Sequence, residues 1–288
     1  MALEIKKATG IGFCLGVRRA IDILERVAAE RGGVETLGAV VHNQQVLRRL
    51  ADIGVKVVKS VPDIQGDVVV TSSHGVSPQD IEEIKSRNIE VVDTTCPFVK
   101  RAQVAARRLT ESGFSTIVYG DIDHPEVRGI LGWAKGKGMA TLDTAEITRL
   151  NKLPRRLGIL SQTTQIPACF AEFVRGLVES PSFKDTELRI IDTICHDIRQ
   201  RQANALKLAK ESDLVIVVGG HTSANSRHLV ELCSTLTKTY LVETADEIQP
   251  SWLEGKRCIG ITSGASTDEE TIDEVVARLE NYPSLKRF

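Results

Sequence analysis

Short apolar runs alternate with amphipathic stretches along nearly the whole chain. Apolar runs bounded by turn residues read as buried strands, and apolar positions three and four apart read as helix faces. A helical pattern follows Cys14 and runs to about Arg31. A strand is predicted next over 36–41, ending at His42-Asn43, then a helix over 44–54 and the short strand VKVV. A strand over 67–75 ends past His74, a helix over 77–88 follows, and IEVVD opens a second round. There a helix is predicted from Pro97, because a first turn leaves the N–H that proline lacks without a partner anyway. Strand FSTIVYG, the polar loop DIDHPEVRG, WAKGKGMATL, the phrase DTAEI and strand RLGILSQTT follow. Helix IPACFAEFVRGLVES and strand ELRIID lead to Cys195 and a further helix. A third round gives DLVIVVGG, the loop HTSANS, a helix over 227–238, TYLV, ETADEI, CIGITSGAS and a helix over 267–282.

The rounds share one register. VVDTTCPFVKRAQVAARRL and IIDTICHDIRQRQANALKLAK are copies of one phrase, and TGIGFCLGVRRAIDILERVAAE is a weaker third. His42 lies 28 residues after Cys14 (42−14), His124 lies 28 after Cys96 (124−96) and Asn225 lies 30 after Cys195 (225−195). VPDI, TAEI and ADEI fall at matching places. Strands alternating with helices at a fixed period imply repeated parallel βαβ units. The expected fold is α/β, with three pseudo-equivalent parallel-sheet lobes: 1–95 carrying Cys14, 96–194 carrying Cys96 and 195–288 carrying Cys195. Ligands gather outside the carboxyl ends of parallel strands. Each repeat sends a cysteine and two polar loops there. The first loops carry His42, His124 with Glu126, and Ser223 with Asn225; the second carry His74, Thr163-Thr164 and Ser266.

Composition narrows the function. Lys plus Arg is 37 and Asp plus Glu is 38, a net charge of −1, with aromatics at 4%. General nucleic-acid or anionic-membrane binding needs a basic excess, and single-strand binding needs stacking platforms. No apolar run approaches the ~20 residues of a membrane span, and the charged start MALEIKKATG does not read as a signal peptide. Six cysteines without a CxxC pair fit a reducing cytoplasm. No GxGxxG or P-loop opens a helix, so bound NAD or ATP is not expected. Electrons for a reduction must then arrive from an outside carrier.

A cysteine where a strand ends and a helix begins meets first-turn N–H groups that favour an ionised thiol. Three such thiols suit an iron–sulfur cluster or zinc, with one coordination position left open as a Lewis acid. Cys169, Cys233 and Cys258 have no counterparts in the other repeats and read as core filling. His42, His74, Ser223, Asn225 and Ser266 offer imidazole, hydroxyl and amide donors in turns that suit a phosphate or diphosphate. Glu126 is a candidate proton donor, since a carboxyl kept out of water holds its proton toward neutrality. Thr163 could pass that proton on or orient a water.

The segments GFCLGVRRA, VVHNQQV, SSHGV, DTTCPFVK, HPEVRG, SQTT, DTICHDIRQRQ, GGHTSANS and TSGAS, in this order, resemble the 4-hydroxy-3-methylbut-2-enyl diphosphate reductase family. The resemblance implies three α/β lobes around one 4Fe–4S cluster, held by Cys14, Cys96 and Cys195. It implies reductive removal of the substrate's hydroxyl, through an alkoxide on the open iron, to give isopentenyl and dimethylallyl diphosphates. It implies proton supply by Glu126 with Thr163 and His124 in the relay. The diphosphate would be held by His42, His74, His124, Thr163, Ser223, Ala224, Asn225 and Ser266, and electrons would come from a carrier such as ferredoxin or flavodoxin. Ala224 departs from the serine some relatives have there, leaving a backbone N–H. Two other readings stay open on the residues. One is a three-cysteine 4Fe–4S dehydratase or quinolinate-synthase-type enzyme, and the other a non-catalytic iron–sulfur oxygen sensor.

Overall fold

The computed structural model describes residues 3–149 and 153–281. Among them every strand lies in one of three parallel four-stranded sheets. The first sheet joins β1 (Glu4–Lys7) to strands from the far end of the chain. The second holds β2 (Val34–Leu37), β3 (Val55–Val58), β4 (Val68–Thr71) and β5 (Glu90–Val92) in the order β3-β2-β4-β5. The third holds β6 (Ser115–Tyr119), β7 (Gly138–Thr141), β8 (Arg156–Ser161) and β9 (Glu187–Ile191) in the order β7-β6-β8-β9. With β10 (Leu214–Val218), β11 (Lys238–Val242) and β12 (Cys258–Ser263), the first sheet reads β1-β12-β10-β11. All three share one topology. The edge strand that leads into each cysteine (β1, β5, β9) pairs with the strand that closes a repeat (β12, β4, β8). β1 therefore completes the sheet of the last repeat.

The helices are α1 (Leu15–Arg31), α2 (Gln44–Asp52), α3 (Pro78–Ser86), α4 (Pro97–Glu111), α5 (Pro125–Trp133) and α6 (Thr144–Thr148), followed by α7 (Pro167–Val178), α8 (His196–Lys210), α9 (Ala224–Ser234) and α10 (Glu269–Glu280). Alternate side chains of a strand face opposite sides, and β10 shows the result. Leu214, Ile216 and Val218 pack with Ile272, Val275 and Leu279 of α10. Val215 and Val217 pack with Ala205, Ala209, Leu229 and Cys233 on the other face. In the third sheet, Val118 and Leu160 meet Ala102, Ala106 and Leu109 of α4 and Ile130 of α5, while Ile117 and Ile159 meet Phe170, Phe173 and Leu177 of α7. Each such large side chain contributes roughly 1.5–3 kcal/mol of burial.

The chain divides into two compact units. One comprises the start up to Arg18, Val41–Asp52 and the chain from His196 onward; the other comprises Arg19–Val40 and Ile53–Cys195. The first sheet lies in the former, the second and third sheets in the latter.

Several predicted boundaries shift for local reasons. The strand predicted over 36–41 is Val34–Leu37, ended by Gly38 at φ +75°. The strand predicted over 67–75 stops at Thr71, so Ser72–Gly75 forms a turn. HPEVRG is not a loop: Pro125 opens α5 and His124 caps it. The helix predicted over 227–238 starts at Ala224 and ends at Ser234, and Lys238 belongs to β11. Strand β1 is not visible in the pattern, because EIKK carries too few apolar residues. The predicted end of the last helix, Tyr282, lies outside the described residues.

Candidate active site

The Asp-Thr-x-Cys phrase is a hydrogen-bonded corner. Asp93 Oδ1 accepts the Thr95 N–H at 2.9 Å, and Asp192 Oδ1 accepts the Ile194 N–H at 3.1 Å. The Thr94 hydroxyl donates to the Thr71 carbonyl at the end of β4, and the Thr193 hydroxyl donates to the Ser161 carbonyl at the end of β8. The cysteine N–H groups then reach two residues further along each loop. Cys96 N–H donates to Ser73 O at 3.0 Å, Cys195 N–H to Thr163 O at 2.9 Å and Cys14 N–H to Ala265 O at 3.0 Å. Each acceptor lies two residues past a strand end (Thr71, Ser161, Ser263), so the three cysteines occupy one position of the repeat. In the Cys14 copy, which has no Asp-Thr, the Gly12 N–H donates to Ser263 Oγ at 2.8 Å instead.

Cys96 is the N-cap residue of α4, and Val17 N–H donates to Cys14 Sγ at 3.4 Å. That N–H acts in the direction expected for a thiol at a helix start. Burial nevertheless outweighs it and raises the pKa of Cys14, with Arg201 lowering it and Asp197 raising it. The expectation of a readily ionised lone thiol is thus corrected at Cys14. Cys233 is fully buried, and burial pushes it up to about 11, as suits a core residue. Cys169, on α7, packs partly buried against the core, and Cys258 lies half-buried on β12.

The larger unit gathers Glu126, Thr163, His74 and His124 with Cys96 and Cys195. Glu126 is 2% exposed. Its Oε1 accepts the Thr163 N–H at 2.6 Å, and its Oε2 bonds the Thr163 hydroxyl at 2.8 Å. Thr163 also accepts from Cys195 N–H, so one residue ties the carboxyl to a cysteine corner. Burial pushes Glu126 up to about 7, and the two Thr163 bonds oppose the rise. His124 Nδ1 accepts the Glu126 N–H at 3.2 Å, which leaves Nε2 to carry the proton of a neutral ring. The rings of His74 and His124 meet edge to face, 5.4 Å apart.

In the other unit, Ser223 caps α9 and accepts the Ser226 N–H. Ala224 and Asn225 follow as its first two helical residues, both buried. Both amide atoms of Asn225 are buried without a partner among the described residues. Ser266 is buried beside Ala265. His42 precedes Asn43, whose Oδ1 accepts the N–H groups of Gln45 and Val46 and so caps α2. Burial lowers the pKa of His42, with help from Arg227, so the ring is neutral at pH 7. A Cβ on Gly220 would lie 2.1 Å from His42 O, so only glycine lets the two loops close. The caps refine the register: Ser223, not Asn225, is the counterpart of His124 in the repeat. Sequence reasoning gave no role to Asn43 or to Gln162, whose fully buried amide accepts from Asp121 N–H and donates to Thr164. The polar Gln in SQTT, flush against a strand end, was the available signal.

Fold and site together define a triplicated parallel-sheet α/β protein with thiols, imidazoles and a protonatable carboxyl at its strand ends. Residues 5–280 match the family model described as LytB protein. The chain is 59% identical over 278 residues to the 4-hydroxy-3-methylbut-2-enyl diphosphate reductase of Dehalococcoides mccartyi (strain CBDB1), covering 96% of this chain and 98% of that one. It is 41% identical over 285 residues to the protein of that name from Geobacter metallireducens, covering 99% of each. A solved E-1-hydroxy-2-methyl-but-2-enyl-4-diphosphate reductase from Plasmodium falciparum superposes with TM-score 0.90 at 26% identity, over 96% of this chain and 88% of that one. A solved (E)-4-hydroxy-3-methyl-but-2-enyl diphosphate reductase, described as the terminal enzyme of the non-mevalonate pathway, gives TM-score 0.70 at 35% identity, over 97% and 99%. The chain belongs to the LytB protein family. Among the described residues no helix is long and apolar enough to cross a membrane.

Proposed function

We propose that this protein is a 4-hydroxy-3-methylbut-2-enyl diphosphate reductase acting in the cytoplasm, with three lobes that divide near Cys96 and Cys195. The overall reaction takes the allylic alcohol, two electrons and two protons to isopentenyl or dimethylallyl diphosphate and water. The observation that carries the reading is the buried Glu126–Thr163 pair, a proton store poised near neutrality.

Cys14, Cys96 and Cys195 would hold a 4Fe–4S cluster. The donor set fits: three soft sulfur ligands stand at one position of a triplicated fold, each with its amide fixed to an equivalent carbonyl. When bound, the cluster supplies single electrons, taken from a carrier such as ferredoxin or flavodoxin, and a Lewis-acidic iron for the hydroxyl. The polypeptide supplies protons and grip. With Glu126 protonated, Oε2–H donates to Thr163 Oγ1, and the threonine hydroxyl is released to donate to the substrate oxygen. With Glu126 ionised, the hydroxyl turns back to Oε2. His124 holds the Glu126 amide through Nδ1 and offers Nε2–H. The diphosphate would be held by His42, His74, Ser223, Asn225, Ser266 and the Ala224 N–H at the start of α9. Asn225, buried with both amide atoms unanswered, supports an anion there.

The test is anaerobic turnover of the allylic diphosphate with a reduced one-electron donor. Brown protein that forms both C5 products supports the reading. Colourless protein fully active with stoichiometric zinc, or turnover that needs no electron donor, would sink it.

A further inference from the structure

The repeat breaks its own symmetry beside Cys14. Six residues after each cysteine stand Ala20, Ala102 and Arg201. The alanines are both 0% exposed, and the arginine is 5% exposed. A small apolar side chain fills this place twice, and a buried guanidinium fills it once. Burying a cation is costly unless its charge and its N–H groups are answered.

The answer on α8 is incomplete. Arg201 Nε donates to Asp197 at 2.8 Å, but the Asp197 side chain is 39% exposed and shares its charge with solvent. The Arg201 Nη1 is buried with no partner among the described residues. One turn on, Asn204 Nδ2 donates to Thr9 O at 2.8 Å. Asp197, Arg201 and Asn204 form one stripe of α8 at i, i+4 and i+7, and its Asn204 end is fastened to the loop that carries Cys14. Arg201, about one turn before Asn204 on that stripe, is thereby held on the side of α8 that meets the Cys14 loop.

We propose that Arg201 is a positioning residue: its fixed positive charge holds negative charge at Cys14 and makes the group bound by the three cysteines easier to reduce. This rests on the reading of Cys14 as a ligand. Adding one electron adds one negative charge, and a cation beside one ligand, with no counterpart in the other two repeats, stabilises the reduced state.

The experiment compares wild type, Arg201→Lys, Arg201→Gln and Asp197→Asn, all purified anaerobically. It reads iron per chain, far-UV circular dichroism and the one-electron midpoint from an EPR-monitored redox titration. Arg201→Gln is expected to make reduction at least tenfold less favourable, which is about 59 mV lower for one electron. Arg201→Lys should stay within about threefold of wild type. Asp197→Asn removes an opposing charge at a half-exposed site and should make reduction more favourable. Iron retained by the lysine variant and lost by the glutamine variant would also support the charge. A midpoint unchanged in Arg201→Gln, an equal shift in both arginine variants, loss of iron from both with native dichroism, or an unchanged or lower midpoint in Asp197→Asn would overturn it. Wild-type protein that holds no iron–sulfur chromophore would instead remove the ligand reading itself.

Discussion

Replacing Glu126 by Gln separates proton supply from shape. The amide can keep both Thr163 contacts, with Oε1 accepting the backbone N–H and the new Nε2 donating to the hydroxyl. The ionisation is lost. Burial holds Glu126 at about 7 in the folded chain against an ordinary 4.5. Between those values the native state keeps a proton that the unfolded chain has released. The Glu126 contribution to wild-type stability therefore falls as pH rises from 4.5 to 7, and is level above that. At about 1.4 kcal/mol for each tenfold change, the loss is about 3 kcal/mol. Glu126→Gln should escape it, so its stability relative to wild type should climb by about 3 kcal/mol over that window. In a chain of this size that is a gain of about 6 °C in Tm by about pH 8. Turnover should fall by about 100-fold or more, since the amide cannot deliver a proton. The assay is thermal unfolding of both apoproteins from about pH 4 to about pH 8, spanning both ionisations, with anaerobic kinetics beside it. A stability difference that stays flat across this range would refute the buried, neutral carboxyl, and activity within a few-fold of wild type would remove its role.

Thr163→Ala keeps the backbone N–H but deletes the hydroxyl that holds the Glu126 pKa down; the alkaline limb of kcat/KM should move to higher pH, with turnover reduced roughly tenfold or more. Cys96→Ser places a good N-cap residue at the start of α4, so the apoprotein should fold while anaerobic iron content drops well below wild type; full iron loading would count against the ligand assignment. Gly220→Ala sets a Cβ 2.1 Å from the His42 carbonyl, backbone against backbone, and should cost about 1–3 kcal/mol of stability and raise KM; a neutral result in urea unfolding would mean the loops can part freely.

How much of this was legible depended on whether a feature is local. The three cysteine corners were, because strand, cysteine and helix start are adjacent in sequence, and their spacing to the next loop survives as 28 residues twice. β1 was not, because EIKK becomes a strand only by pairing with β12 at the far end of the chain. The helix at HPEVRG was hidden by its shortness and by the polar residues that make it useful. The state of Glu126 lay between. A raised pKa is expected of a carboxyl kept out of water, but its size comes from burial and from Thr163, 37 positions on. The Cys14 expectation failed for the converse reason, since the helix-start effect is local and the desolvation that outweighs it is tertiary.

The second helical residue after each first loop is Gln45 on α2, Glu126 on α5 and Asn225 on α9. One scaffold position thus carries an acid once and an amide twice, and only the acid can hold or release a proton. The fold supplies the place, and in the proposed function the choice between acid and amide decides what is done there, with Glu126 assigned to protons and Asn225 to an anion. Asn225→Asp tests that division, because it exchanges an amide nitrogen for an oxygen at almost constant volume. A carboxylate at this position, 4% exposed and at the proposed diphosphate end, would repel the substrate, or take up a proton to avoid doing so. KM should rise by tenfold or more and more steeply at higher pH, while kcat stays within a few-fold. If kcat collapsed and KM held, Asn225 would be acting on the reacting end, and the division of labour between the two helix starts would be wrong.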